Sequence, residues 1–187
     1  VLNGHASSLF AMQGVSSRTW WARPGLDVPE GRLQIAGRDA EELARSSGTP
    51  LYAHDGVRVI EQAQALRSAM EDANLRGVVR LALKAQREPA ILALLRERAP
   101  FVGLDVCSPG EIRWGLENGW SADEISYTGT NLSERDLDRI LPSGVHVNVD
   151  LLSQLERFGR RAPGARVGIR INPGIGAGAG GARTNLY

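Results

Sequence analysis

Lys84 is the only lysine in a chain of 187 residues with 22 Lys+Arg; every other strongly basic residue is arginine. Arginine holds its proton at any accessible pH, so it cannot replace lysine where an amine must shed a proton and attack a carbonyl. A chain that writes arginine everywhere else marks this one position as a candidate nucleophile, set against the plainer possibility of one chance survivor. Further along stand Asp105 and Ser108, Thr128 and Asn131, Asp150, then Arg170 and Asn172. An amine with a carboxylate and an arginine nearby, and no metal triad, suits Schiff-base chemistry. Desolvation and a neighbouring cation lower the amine's pKa and free its lone pair. The carbonyl belongs either to a substrate, as in aldol chemistry, or to a cofactor such as pyridoxal phosphate, and these residues alone do not choose. Polar residues also gather wherever strands become loops, so part of the set is expected to be caps and ion pairs.

Composition narrows the setting. The formal net charge is +1 and the arginines are interspersed with acids, which offers no electrostatic footprint for nucleic acid or an anionic membrane. Cys107 is the single cysteine, excluding an internal disulfide and a cysteine-rich zinc site and suiting a cytoplasmic protein. No apolar run approaches the ~20 residues that span a bilayer, and no secretory pattern opens the chain. Neither end has the look of a domain boundary, so a piece of a longer protein is expected.

The elements that must position these groups follow a βα rhythm. Residues 1–30 are weakly patterned, with Trp20-Trp21 in a loop. A short strand is predicted over Gly31–Arg38, a helix over Asp39–Ser47, and a turn at Gly48-Thr49-Pro50. Strands are then predicted at Leu51–His54, Val78–Ala85, Phe101–Val106, Glu124–Thr128, Val145–Val149 and Arg166–Ile171. Between them, helices are predicted at Val57–Asn74, Glu88–Glu97, Pro109–Asn118, Glu134–Leu141 and Ser153–Arg160, with Ser133 and Ser153 at helix starts and a loop over Asn172–Gly181.

Six strands alternating with five helices demand parallel strands joined by helical crossovers. Several strands alternate rather than running continuously apolar. Leu104 and Val106 oppose Asp105, Val145, Val147 and Val149 oppose His146, Asn148 and Asp150, and Arg80, Ala82 and Lys84 oppose Leu81 and Leu83. A face of small, charged and amide side chains suits a barrel lumen better than the second buried face of an open sheet. The expected fold is α/β: a (β/α)8 TIM-type barrel, incomplete here at about six strands. Residues 1–48 form a lead-in with a strand and helix of a second β domain, and 49–187 form the first part of the barrel. In such a barrel the groups named above meet at the C-terminal ends of the strands.

Six segments in order carry a resemblance. Gly48-Thr49-Pro50-Leu51-Tyr52-Ala53-His54-Asp55 is similar to GTPLYVYD, and Leu81-Ala82-Leu83-Lys84-Ala85-Gln86 to YAVKAN. Gly103 to Ile112 resembles LDVxSGGEL, and Tyr127 to Ser133 loosely resembles HGNNKS. Asn148 to Arg157 is similar to VDSxSELER, and Arg170-Ile171-Asn172-Pro173-Gly174 to RxNPG. Together they resemble the alanine-racemase-like (fold-type III) pyridoxal-phosphate decarboxylases of diaminopimelate, ornithine and related basic amino acids. The resemblance implies that Lys84 carries pyridoxal 5′-phosphate as an imine, with Ala82, Asp105, Glu111 and Arg170 around the cofactor. It implies decarboxylation of an amino acid, most directly meso-diaminopimelate, in a homodimer with shared active sites. A non-catalytic relative that binds the cofactor or a partner, and a racemase of the same fold, are the alternatives.

Departures bear on the substrate. Gln86 replaces the usual asparagine, Pro109 the first glycine of SGGE, and the run Gly174–Gly181 lacks the usual histidines and glutamine. That run also satisfies G-x-G-x-x-G, but no apolar helix follows and no acid stands ~20 residues on, so a dinucleotide site is not expected. By the same resemblance, the ring-stacking histidine, the phosphate loop and the glutamate facing the pyridine nitrogen lie beyond Tyr187. These 187 residues alone are therefore expected to be inactive.

Overall fold

The computed structural model describes residues 23–130 and 132–171. The expected Trp20-Trp21 loop, the 172–181 loop, Asn131 and Asn172 lie outside them. The chain divides into two compact units at Arg58/Val59.

The first unit holds three short antiparallel strands in the order β1 (Leu26–Asp27), β2 (Gln34–Ile35), β3 (Arg38–Asp39), followed by α1 (Ala40–Ser47). The single strand predicted over Gly31–Arg38 is thus a hairpin. Its turn residues Ala36 and Gly37 both take positive φ, 51° and 73°, the pairing whose twist matches two short strands. Asp39 then ends the hairpin and caps the helix, its carboxylate accepting from the N–H groups of Glu41 (2.9 Å) and Glu42 (3.1 Å). Leu51–His54, expected as a strand, carries no ladder. A run of four exposed residues (Tyr52 is 92% accessible) gains no strand identity without a neighbour offering N–H and C=O groups.

The second unit is built on a five-stranded parallel sheet: β4 (Arg80–Ala82), β5 (Gly103–Val106), β6 (Ile125–Thr128), β7 (His146–Val149) and β8 (Gly168–Ile169). Helix α2 (Gly56–Asp72) precedes it; α3 (Pro89–Arg98), α4 (Pro109–Glu117), α5 (Glu134–Ile140) and α6 (Leu152–Arg161) are the crossovers. The spatial order is the sequence order without reversal. A doubly wound sheet reverses at its switch point, whereas a barrel does not, so the sheet is the open first part of a β/α barrel, with five strands among the described residues. One face is apolar and carries the core: Leu104, Val106, Ile125, Tyr127, Val147 and Val149 pack with Leu92, Ile112, Leu137, Ile140 and Phe158 from the helices. A second cluster joins α2 to α3 through Ala63, Ile91, Leu95, Ala99 and Val102.

The helices start where their sequences allow. Ser133 and Asp136 form a reciprocal capping box at α5, and Ser108 accepts from the Glu111 N–H at α4, where Pro109 supplies a first-turn residue with no N–H to orphan. Ser153 is not a cap: α6 begins one residue earlier, behind Leu151, which has no side-chain acceptor.

Candidate active site

The inward face of the sheet is ordered in rows by the strand register. Ala82, Asp105, Ser126 and His146 are successive partners across β4 to β7. Two residues on, about 7 Å further along the strands, Thr128, Asn148 and Gly168 form the next row. Lys84 stands just past β4, level with that row. The predicted strand Val78–Ala85 is shorter than expected because its backbone turns back. Leu83 N–H still bonds to the Asp105 carbonyl at 2.9 Å, but Ala85 N–H bonds to the Ala82 carbonyl at 2.9 Å. Lys84 therefore sits in an exposed turn at the C-terminal edge rather than inside the strand, and it makes no ion pair among the described residues.

The other expected residues fall into two kinds. The Asp105 carboxylate and the Arg170 guanidinium have no partner among the described residues, and Arg170 is fixed by its backbone, N–H to the Val149 carbonyl at 2.8 Å. Glu111 differs. It is 7% accessible, and one oxygen accepts from Arg87 Nη2 at 2.9 Å while the other accepts from the Cys107 N–H at 2.8 Å. Its carboxylate braces the end of β5 against the segment after Lys84, which fixes where Asp105 and Lys84 stand. Partial desolvation and the Glu111 carboxylate raise the Cys107 thiol above its ordinary pKa, while the nearby Lys84 and Arg87 cations pull the other way.

A polar plug links the two rows. Asn148 Nδ2 donates to Ser126 Oγ (2.9 Å), Thr128 Oγ1 (3.0 Å) and the Tyr127 carbonyl (3.3 Å). Those three acceptors orient the amide, so its Oδ1 faces His146 Nε2 at 3.1 Å and assigns the proton to that nitrogen. A β-carbon on Gly168 would overlap Asn148 Oδ1, so the next strand closes on the plug only as glycine.

Tyr127 faces the opposite way, into the core. Burial above all, with the acids Asp136, Asp150 and Glu111 adding to it, pushes its phenol up to about 12. A folded-state value above the unfolded one means that this group's contribution to stability is complete below pH ~10 and lost as the pH rises through about 12. Replacing Tyr127 with phenylalanine is expected to flatten the alkaline limb of a pH–stability curve between those values, measured by urea midpoints. An unchanged limb would place the loss elsewhere.

An exposed, unpaired primary amine at the polar mouth of a parallel sheet can add to a carbonyl, and the carboxylate and guanidinium across from it can orient a charged partner. The comparisons with known proteins agree with that chemistry. Residues 57–185 match the family model described as pyridoxal-dependent decarboxylase, pyridoxal binding domain. Diaminopimelate decarboxylase of Methanothermobacter thermautotrophicus is 42% identical over 157 residues, covering 83% of this chain and 36% of that protein. Diaminopimelate decarboxylase from M. jannaschii, solved in co-complex with L-lysine, superposes with a TM-score of 0.65 at 28% identity, over 81% of this chain and 36% of that one. Lysine decarboxylase from Selenomonas ruminantium superposes with a TM-score of 0.64 at 26% identity, over 79% of this chain and 39% of that one. The chain thus spans little more than a third of the length of these three relatives. The donor set fits an aldehyde cofactor: Lys84 supplies the free amine, and Asp105 and Arg170 keep uncommitted charges at the same edge. With residues 57–185 matching their pyridoxal binding domain, the chain belongs to the pyridoxal-dependent decarboxylases.

Proposed function

We propose that the full-length protein decarboxylates a basic amino acid, most directly meso-diaminopimelate, with pyridoxal phosphate held on Lys84. The observation that carries this reading is the single lysine of the chain, standing unpaired at the mouth of the matched domain. The diaminopimelate decarboxylases among its relatives support the substrate class.

In this reading the Lys84 amine would hold the cofactor covalently at its aldehyde carbon. Ala82 leaves room on the inner face beneath it. Asp105 and Arg170 orient charged groups of the cofactor and substrate, and Glu111 holds the segments carrying Lys84 and Asp105 in place. The bound cofactor supplies an electron sink for the carbanion left when the α-carboxylate departs as carbon dioxide. Residues 1–48 serve as the lead-in of the β domain and 49–187 as the first part of the barrel. The assembly is a cytoplasmic homodimer whose subunits complete each other's sites; the lone cysteine supports the location.

The test is carbon dioxide release by the full-length protein supplied with pyridoxal phosphate, across diaminopimelate, ornithine, lysine and arginine. Release is expected from diaminopimelate at a kcat/KM at least about tenfold above the others. Release from none of the four would overturn the substrate class.

A further inference from the structure

Gln154 is the most buried polar side chain of the described residues at 1% accessibility, and the site as built so far does not use it. It projects from the first turn of α6, whose N-cap Leu151 offers no side-chain acceptor. Its Oε1 accepts from the Asp150 N–H at 3.2 Å, and its Nε2 donates to the Thr130 carbonyl at 3.1 Å. One amide thus ties the loop leaving β6 to the end of β7. Both belong to the mouth, and the Val149 carbonyl that holds the Arg170 N–H immediately precedes Asp150. Asp150 needs such a tether, because its Oδ1 is buried without a hydrogen-bond partner. A carboxylate oxygen in that condition is drawn towards water, and a free loop would let it go. Glutamine meets this geometry because it carries a donor and an acceptor on one planar group. Methionine would fill the same volume and make neither bond, and glutamate would keep the acceptor and lose the donor.

We propose that Gln154 is a positioning residue for the reaction, holding the loop after β6 and the end of β7, with Asp150 and through it Arg170, in the arrangement the substrate meets. The inference rests on the proposed function, in which this mouth receives the substrate. Its test uses the full-length protein loaded with pyridoxal phosphate, comparing Gln154→Met and Gln154→Glu with Arg161→Ala. The last variant weakens the same helix at the ion pairs of Arg161 with Glu134 and Asp138, away from the tether. In Gln154→Met the Asp150 amide is expected to exchange with deuterium about tenfold faster, and the substrate KM to rise about tenfold with kcat changed less than about threefold. The visible absorbance of the cofactor on Lys84 is expected to persist. Gln154→Glu is expected to keep the Asp150 amide protected and to recover part of the KM, and Arg161→Ala to lower Tm while leaving KM within about twofold. An unchanged KM in Gln154→Met, or an equal rise in Arg161→Ala, would overturn the inference while leaving the proposed function standing. Failure of the unaltered protein to take up the cofactor would overturn both.

Discussion

Arginine at position 84 is expected to abolish the visible absorbance that full-length protein gains with pyridoxal phosphate, and to cut decarboxylation by at least about a thousandfold. The substitution keeps the positive charge and most of the aliphatic stem, so the turn at 83–85, with Leu83 buried and Lys84 exposed, keeps its fold. The turn is held by its backbone, through Leu83 N–H to Asp105 and Ala85 N–H to Ala82, and not by the lysine side chain. What is lost is a lone pair. A guanidinium does not deprotonate and does not form an imine under conditions where an amine does. Near-normal absorbance or activity in Lys84→Arg would therefore place the anchor elsewhere.

The second large effect is on stability. Gly103 opens β5 opposite Arg80, and a β-carbon there would overlap the backbone carbonyl oxygen of Glu124 and press on the stem of Arg80. Backbone cannot swing aside as a side-chain end does, so β5 and β6 must part at the start of their ladder. Gly103→Ala is expected to cost about 2–3 kcal/mol and to lower Tm by roughly 5–10 °C in thermal melts. Gly110 is the control: it lies in the first turn of α4, where a β-carbon would meet only Ser108 Oγ at 3.9 Å, an ordinary contact, and alanine is expected to be neutral or stabilising by up to about 1 kcal/mol. Equal melting temperatures for the two variants would mean that the strand start yields more easily than its geometry implies.

Alternation made the inward face legible before any coordinates. Asp105 between Leu104 and Val106, and His146 and Asn148 among three valines, announce strands with one apolar face against helices and one polar face against a lumen. The Ser133 cap was equally plain, because serine three residues before an acid reports local geometry. Features set by distant partners were not legible. Nothing around Leu51–His54 says that it carries no ladder, and Ala36-Gly37 lacks the asparagine or aspartate that usually signals a tight hairpin. The end of β4 at Ala82 depends on the Ala85 N–H turning back onto the Ala82 carbonyl. The commitment of Glu111 to Arg87 joins residues 24 apart. Gln154 left a faint trace: it lies four residues before Phe158, on the stripe by which α6 meets the core, where a buried amide needs two partners.

In the proposed function Lys84 holds the cofactor. Full-length protein incubated with pyridoxal phosphate, reduced with borohydride and digested, should yield one pyridoxyl-labelled peptide, with the label on Lys84, and the labelled protein should be inactive. A label on any other residue, or undiminished activity after Lys84 has been labelled, would contradict the account.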